Sequence, residues 1–237
     1  MATTIAPVQD GQLTELIHDD LAATGLAPAE HVVDAAYLSP ARIQRADQIH
    51  NITLLGPIAP DPSAQAMAGS GFDKSAFVID WERQVAICPR GSPSRSWGPL
   101  RIKGHDYIQV RFDTATCRVC PVRTSCTASA ERPRALALLP RPLHEIQTRN
   151  RAEQADQAWQ ARYAIRAGCE STISENVRVR GLRRTRYRGL AKTHLQHVLT
   201  AMACNLARLG DWLNATPKTR RRASRFHTLC QALLAPT

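Results

Sequence analysis

Four cysteines in the middle of the chain have the spacing of metal ligands. Cys117, Cys120 and Cys126 follow one another as Cys-x2-Cys-x5-Cys, and Cys88 precedes Pro89 upstream. A close pair on one turn and two further thiolates make up the ligand set of a closed, structural Zn²⁺ site. A loop-rich segment gains stability from such a site because the binding energy of the metal becomes folding energy. Reduced, unligated thiols and an iron–sulfur cluster are the alternatives that this spacing leaves open.

Two acidic residues occupy positions where a carboxylate can take part in chemistry. Asp34 follows the apolar run His31–Val33, and the carboxyl ends of strands are where open α/β sheets present functional groups. Glu170 completes the pattern Tyr163-x2-Arg166-x3-Glu170, which places a phenol, a guanidinium and a carboxylate on one face of a helix. Each feature also has an ordinary explanation, since Asp34 can cap the next turn and Arg166 can form a surface ion pair with Glu170.

A run of cations without any acidic residue follows Glu170. A block of like charges repels itself unless an anion is present. A solvated loop is the ordinary interpretation, but the position directly after the helix of Glu170 favours contact with the phosphate backbone of DNA. The seven residues are Arg178, Arg180, Arg183, Arg184, Arg186, Arg188 and Lys192.

The overall charge also favours a polyanionic partner. The 237 residues include 31 Lys and Arg against 20 Asp and Glu, a formal net charge of +11. Nucleic acid is therefore the first expected partner and a membrane surface the second. No apolar stretch approaches the roughly 20 residues of a spanning helix, so we expect a cytoplasmic protein. In that reducing compartment Cys169, Cys204 and Cys230 are expected to pack in the core.

The elements that must position Asp34 are predicted to be a strand, a helix and a second strand. Gln12–Gly25 has the apolar spacing of an amphipathic helix. His31–Leu38 contains a strand, residues 39–49 begin with a Ser-Pro cap and form a helix, and Ile52–Leu55 is a second strand. This order predicts a parallel pair with a right-handed crossover.

The remaining segments differ in composition. Residues 59–142 are rich in proline, glycine and serine, which predicts an inserted subdomain of short strands and loops. Leu143–Val179 is predicted to be a long polar helical segment, and Leu190–Leu213 is predicted to be a core helix. Its apolar stripe consists of Leu195, Val198, Leu199, Met202, Leu206, Leu209 and Leu213.

The sequence after Glu170 resembles a known family. Residues 181–192 read Gly-Leu-Arg-Arg-Thr-Arg-Tyr-Arg-Gly-Leu-Ala-Lys and lead to Asn-Leu-Ala-Arg-Leu at 205–209. This region resembles the C-terminal part of bacterial insertion-sequence transposases of the DDE class. Val33–Ser39 is similar to the segment around the second catalytic aspartate of that family, in which Cys-Pro-Arg-Gly, found here at 88–91, also recurs. The resemblance covers the chain from about Gln9 to Leu213.

The resemblance implies a ribonuclease H-like catalytic domain whose carboxylates bind metal. Asp34 then corresponds to the second aspartate and Glu170 to the glutamate, with Tyr163 and Arg166 in the same catalytic site. The implied metal is Mg²⁺ or Mn²⁺, which prefer oxygen ligands. Two such ions activate water or a 3′-hydroxyl and stabilise the leaving oxygen of a phosphoryl displacement.

The chain departs from the family pattern in two places. The family has Lys seven residues after the glutamate, whereas this chain has Val177 there and Arg178 next to it. No apolar strand precedes Gln12, so we expect the first three strands and the first aspartate to be absent and the isolated chain to be inactive. The expected fold is α/β, a partial ribonuclease H-like domain. Its expected organisation is 1–58, the second half of the ribonuclease H-like sheet with Asp34; 59–142, the cysteine-containing insertion; 143–215, catalytic-domain helices with Glu170 and the basic stretch; and 216–237, a basic tail.

Three functions remain as alternatives. The first is a transposase catalytic segment that cleaves and joins DNA at element ends and target, with an N-terminal transposase segment or a second copy as partner. The second is an inactive DNA-binding remnant or regulator. The third is a zinc-stabilised adaptor for other proteins, which salt-dependent DNA binding would distinguish from the first two.

Overall fold

The structure is a computed structural model that describes residues 2–5 and 7–215. The chain divides into two units, Ala2–Ser171 and a second unit that begins at Thr172. The described residues form a mixed α/β protein. Within them no helix has the length and apolar character required to cross a bilayer. The expected tail 216–237, with Cys230, lies outside the described residues.

The larger unit begins with a helix followed by a strand, a helix and a strand. The parallel pairing predicted from that order is confirmed, because His31 lies opposite Leu54 in a two-stranded parallel sheet. The elements are a 3-10 turn (Asp10–Leu13), α1 (Thr14–Ala23), β1 (Glu30–Val32), α2 (Pro40–His50) and β2 (Thr53–Leu55).

Local capping explains the bounds of α2. The Ser39 hydroxyl accepts a hydrogen bond from the Arg42 amide at 3.2 Å, and Pro40 occupies the first turn, where a missing amide hydrogen has no consequence. Asn51 ends the helix in the left-handed conformation, which asparagine tolerates better than most residues. The predicted helix over 39–49 is therefore confirmed.

β1 is shorter than the apolar run 31–38 led us to expect. The strand ends at Val32, and Ala35–Tyr37 forms a 3-10 turn capped by Asp34. The carboxylate accepts from the Ala35 amide, and this local hydrogen bond replaces continued strand pairing.

The helices and strands of this part enclose one apolar core. Tyr37, Leu38 and Ile146 pack against its edge. At about 25 cal/mol per Å² of buried apolar surface, burial of each large aliphatic side chain contributes about 2 kcal/mol. The fully packed members are Val33, Ile43, Ala46, Ile52, Leu54 and Ile58.

The segment 59–142, for which short strands and loops were predicted, contains antiparallel strands and also short helices. β3 pairs with β4, and β5, β6 and β7 form a three-stranded sheet. A second core of Phe77, Ala86, Val110, Phe112, Leu136 and Leu138 lies here. The elements are α3 (Ala64–Ala68), β3 (Val78–Asp80), β4 (Val85–Ile87), β5 (Ser94–Ile102), β6 (His105–Phe112), α4 (Thr114–Arg118), α5 (Arg123–Cys126) and β7 (Ala135–Leu138).

The long helical segment predicted over Leu143–Val179 is divided into several pieces. Asp156 has an extended backbone and its carboxylate accepts from the Ala158 amide at 3.2 Å, so a new helix begins there. Aspartate at such a position satisfies a free amide of the first turn. The pieces are α6 (Arg141–Glu153), α7 (Gln157–Tyr163), a 3-10 turn (Ala164–Arg166) and α8 (Ala167–Val179).

The second unit contains the end of α8, a loop and α9 (Leu190–Leu213). Side-chain hydrogen bonds join these parts, since Gln196 donates to the Arg184 carbonyl at 2.9 Å and Arg180 to the Ala203 carbonyl at 3.4 Å. Arg208 of α9 also donates to the Thr172 hydroxyl of α8.

Two expectations about buried side chains were wrong. The apolar stripe predicted to make α9 a core helix is largely exposed, whereas Thr200 and Cys204 are buried instead. Periodicity identified the stripe but did not determine which side of the helix faces the protein. Cys169 is exposed, whereas Cys204 is buried as expected.

Candidate functional site

Arg166 lies between the two acidic residues that the sequence singled out. Its Nη2 donates to Asp34 Oδ2 at 3.0 Å, and its Nη1 donates to Glu170 Oε1 at 2.7 Å. All three residues belong to the larger unit. The Arg166 side chain is 27% exposed, against 47% for Asp34 and 65% for Glu170. The structure thus brings Asp34, Arg166 and Glu170 into one group that is accessible to solvent.

Asp34 performs two roles at once through its two carboxylate oxygens. Oδ1 accepts from the Ala35 amide at 2.6 Å, which caps the 3-10 turn, and Oδ2 accepts from Arg166. The amide of Val33 donates to the Leu55 carbonyl at 2.8 Å and continues the pairing between β1 and β2. Asp34 can therefore cap the 3-10 turn with one oxygen and still have its other oxygen available for a contact with Arg166.

Two glycines fix the backbone on either side of Asp34. A Cβ atom added at Gly11 would lie 2.5 Å from the Ala36 carbonyl oxygen, and one added at Gly56 would lie 2.6 Å from the Val33 carbonyl oxygen. Both distances are far below van der Waals contact, so no larger residue fits without moving backbone. Close backbone contacts therefore hold the segment that carries Asp34.

Arg166 and Glu170 lie where a 3-10 turn joins α7 to α8. Arg166 ends the 3-10 turn and Glu170 lies in the first turn of α8. Tyr163 is the last residue of α7, and its ring stacks on buried Trp159 at a centroid distance of 5.1 Å. The three residues of the Tyr-x2-Arg-x3-Glu pattern therefore do not share one continuous helix, although Arg166 and Glu170 remain in contact.

Charge around the group favours the ionised guanidinium. Desolvation alone would lower the pKa of Arg166, but the hydrogen bond to Glu170 and the nearby Tyr163, Asp34 and Glu170 charges raise it above its ordinary value. A second ion pair lies nearby in the sequence of both partners: Arg162 of α7 donates to Glu30 of β1.

Tyr37 and Asp10 also border the group, and neither was identified from the sequence. The Tyr37 hydroxyl donates to Asp10 Oδ2 at 3.3 Å. Burial raises the pKa of Tyr37, and the charges of Asp10 and Asp34 raise it further. The sequence signal was the tyrosine three positions after Asp34, Tyr37, and a tyrosine at such a position is also typical of the edge of a hydrophobic core.

The group around Arg166 contains two side chains of the kind that bind divalent metal ions. Asp34 and Glu170 supply oxygen donors of the kind that Mg²⁺ and Mn²⁺ prefer. Within residues 2–5 and 7–215, no three His, Cys, Asp or Glu side chains are arranged so that they could share one ion. The possible metal ligands beside Arg166 are therefore the two carboxylates of Asp34 and Glu170, without a third ligand among the described residues.

The four clustered cysteines line one small pocket of about 50 Å³ in the insertion. Cys117 lies in the last turn of α4 and Cys126 ends α5. Cys88 follows β4 in a turn that closes through the hydrogen bond from the Gly91 amide to the Cys88 carbonyl. Burial raises the pKa of the Cys126 thiol, whereas the adjacent Arg134 guanidinium lowers it. The thiols lie around a common space, although they do not form a metal-holding trio as arranged here.

The basic stretch is mostly exposed in the second unit. Arg180 is the exception: it forms a 3.3 Å ion pair with Glu175 and donates to the Ala203 carbonyl. Gly181 and Gly189 bound the loop and adopt positive φ values of 65° and 97°, which glycine reaches without steric strain. The exposed members are Arg178, Arg183, Arg184, Arg186, Arg188 and Lys192.

Comparison with known protein families gives a match to the chain. The family model described as "Transposase DDE domain" matches residues 87–210, just over half of the chain. Arg166, Glu170, the four clustered cysteines and the basic stretch lie inside the matched range, and Asp34 lies before it. No curated protein and no solved structure matches the chain.

Proposed function

The chain belongs to the transposase DDE domain family, and we propose that it is a catalytic segment for metal-dependent cleavage and transfer of DNA strands. We further propose that it derives from a bacterial insertion sequence, that its sheet is part of a ribonuclease H-like domain, and that it acts at element ends. The α/β architecture and the parallel β1–β2 pair are compatible with that fold.

The observation that carries this proposal is the convergence of Asp34 and Glu170 on Arg166. The contact from Arg166 to Asp34 joins residues 132 positions apart, so it is a product of folding and not of helical proximity. If Arg166 and Glu170 formed only a structural surface ion pair, there would be no need for Asp34 to contact Arg166 as well. Convergence of distant acidic side chains in an accessible place is the pattern expected of a functional site.

Asp34 and Glu170 would hold a divalent ion, which supplies activation of the attacking hydroxyl and stabilisation of the leaving oxygen. Arg166 neutralises both carboxylates in the structure described here. When a phosphate enters, its guanidinium can donate to the phosphate oxygens in a bidentate manner. Tyr163, stacked on Trp159, holds the end of α7 next to this group.

The exposed cations between 178 and 192 would contact the DNA backbone. Six exposed cationic side chains on one segment supply affinity through release of counterions, without reading the base sequence. In this proposal the stretch holds DNA while the group around Arg166 faces the reacting phosphate.

The cysteine pocket would serve as a structural Zn²⁺ site. Four thiols around one space support this assignment. The thiols would have to come closer together for tetrahedral coordination. The metal would stabilise the insertion and take no part in catalysis.

A second candidate function is DNA binding without cleavage, as a transposase remnant or regulator. The observation that favours it is that no third acidic side chain joins Asp34 and Glu170 among the described residues. A further transposase segment could supply one beside β1, which pairs only with β2 in the described part of the chain. Two-stranded parallel sheets rarely stand alone.

One experiment separates these functions. The full chain is incubated with supercoiled plasmid and Mn²⁺, and nicking is measured beside binding to a short duplex at increasing salt. Nicking that Glu170→Gln abolishes, and that Glu153→Gln leaves intact, supports the catalytic proposal. Salt-dependent binding without nicking supports the second function. Failure to bind DNA even at low salt contradicts both.

A further inference from the structure

Arg134 is a buried cation in the wall of the cysteine pocket. The residue is 9% exposed and lines the pocket together with the four clustered cysteines. The Phe112 amide donates to its carbonyl oxygen at 3.0 Å, which ties its main chain to β6 just before β7 begins. Arginine is seldom buried without a partner of opposite charge, because an unpaired charge loses its hydration. Arg134 is therefore held at a place where a lone charge is costly.

The hydrogen bonds of the Arg134 guanidinium are only partly satisfied. Nη2 donates to the Phe72 carbonyl oxygen at 3.3 Å, and the guanidinium carbon lies 5.6 Å from the centre of the Phe77 ring. Nε is buried and has no hydrogen-bond partner among the residues that the structure describes. Because every N–H of a guanidinium is a donor in a fixed plane, at least one buried donor of this group is left without an acceptor.

The carboxylates of the described part of the chain do not supply a counter-charge for Arg134. None of the ion pairs formed there includes it. Hydrogen bonds from Ser75 lower the pKa of Asp73 more than the charge of Arg134 does, so that carboxylate is engaged elsewhere. The pocket itself offers four thiols, which become anionic when they bind a metal ion. Four thiolates around one Zn²⁺ leave a net negative charge, because four negative charges exceed two positive ones.

We propose that Arg134 is the positioning and charge-compensating residue of the metal in the cysteine pocket. The inference rests on the structural Zn²⁺ site proposed above. Nε of Arg134 donates a hydrogen bond to a metal-bound sulfur, and the guanidinium offsets part of the negative charge of the metal and its four thiolates. Residues that contact the ligands in this way commonly set the affinity of a metal site. The buried charge and its unpaired donor then have the partner that the protein side chains do not provide.

The test compares metal binding by the full wild-type chain and two Arg134 variants. Arg134→Met removes the charge and keeps an unbranched side chain that can lie on Phe77, whereas Arg134→Lys keeps the charge. Arg132→Met is the matched control, since Arg132 is exposed two positions away and does not line the pocket. Zinc affinity is measured by competition with a chromophoric chelator. Co²⁺ is then bound in place of zinc, so that the charge-transfer band from sulfur to metal can be recorded.

We expect Arg134→Met to bind zinc about tenfold or more weakly than the wild type, Arg134→Lys to lose much less affinity, and Arg132→Met to match the wild type. The cobalt band of Arg134→Met should move to lower energy, because a sulfur without a hydrogen bond and a nearby cation gives up electron density more easily. A role of Arg134 in packing alone would weaken binding without this shift.

Two results overturn the proposal while leaving the zinc site in place. One is an Arg134→Met variant with the zinc affinity and the cobalt band of the wild type, and the other is an Arg134→Lys variant that loses as much affinity as Arg134→Met. A wild-type chain that binds neither metal overturns the zinc site and this inference with it. If Arg134→Met does not fold, Arg134→Gln replaces it in both measurements, with the same results for and against.

Discussion

Arg166 and Asp34 are 132 positions apart in the sequence and form a 3.0 Å ion pair that also includes Glu170. The pair joins the turn after β1 to the start of α8. Because all three side chains are partly exposed, the ion pairs themselves contribute little to stability. In the proposed function, Arg166 competes with a divalent ion for the same two carboxylates.

Replacement of Arg166 tests that competition directly. We expect Arg166→Gln to bind Mn²⁺ several-fold more tightly than the wild type, because the carboxylates lose their internal counter-ion, and Glu170→Gln to bind it about tenfold or more weakly. Water-proton relaxation with Mn²⁺ measures both constants. Glu153→Gln is the control, and equal affinity for Glu170→Gln and the control would refute the assignment of Glu170 as a ligand.

Gly11→Ala should destabilise the larger unit by about 1 to 3 kcal/mol, because the added methyl group would lie 2.5 Å from the Ala36 carbonyl oxygen and must displace backbone. Gly168→Ala is the matched control, since a Cβ there meets nothing within 4 Å and alanine favours the helix by up to about 1 kcal/mol. Urea unfolding measures both. Equal stability of the two variants would show that Gly11 does not fix the Asp34 segment.

Three histidines link α1, β1 and α2 and predict a pH dependence. His18 Nε2 lies 2.9 Å from His31 Nδ1, and the ring of His50 lies 6.1 Å from that of His18 and contacts Asp19. Burial lowers the pKa of His18, as do the His31 and His50 charges, whereas Asp19 and Glu15 partly oppose this. Burial also lowers the pKa of His31.

Since His18 and His31 have folded-state pKa values below that of the unfolded chain, about 6.5, the unfolded chain binds more protons below that value. Their contribution to stability is fully present above about pH 6.5 and is lost as the pH falls toward the lowered folded values. Urea midpoints should therefore fall on acidification, and less so in His18→Gln. Replacement of exposed His105 should leave the pH profile unchanged; a His18→Gln profile parallel to that of wild type would contradict the assignment.

Arg186→Ala with Arg188→Ala should weaken DNA binding and make its salt dependence less steep. If both guanidinium groups contact phosphates, the slope of log K against log salt decreases by about two. Arg83→Ala with Arg101→Ala removes the same charge from exposed positions in the insertion and should change the slope little. Fluorescence anisotropy at several salt concentrations measures it, and identical slopes for the two doubles would exclude the basic stretch as the principal contact.

Cys120→Ser should remove bound zinc and destabilise the insertion, because the loss of one thiolate weakens a four-ligand site severely. The purified wild type should contain about one Zn²⁺ per chain by elemental analysis. Cys169→Ser is the control, since Cys169 is exposed and lies outside the pocket. A wild-type chain without zinc after purification and zinc dialysis would favour the reduced-thiol alternative.

Local signals in the sequence predicted the first part of the larger unit well. Ser39 and Pro40 fixed the start of α2 because capping depends on neighbouring residues. The parallel pair followed from the order of its elements. The sequence correctly placed Asp34 after a strand. Its contact with Arg166 depends on how the chain folds over the insertion, which local patterns cannot predict. The family resemblance, by contrast, implied that these residues share one site.

Other features depend on tertiary packing and were missed. The break between α6 and α7 occurs without proline or glycine, at Asp156, so propensity alone favoured continuity. The apolar period of α9 identified its stripe but not the side that faces the protein, and Thr200 and Cys204 are buried instead. Tyr37 and Asp10 meet through a fold that brings the first turn beside Asp34.

The two glycines beside Asp34 leave no space for a methyl group on either side of its backbone. The main chain that carries Asp34 is consequently held in place, and only its side chain can adjust to a ligand. A larger change in the separation between the two acids would come from the 3-10 turn at Ala164–Arg166 and the first turn of α8. In the proposed function, Glu170 would then be the acid whose main chain moves.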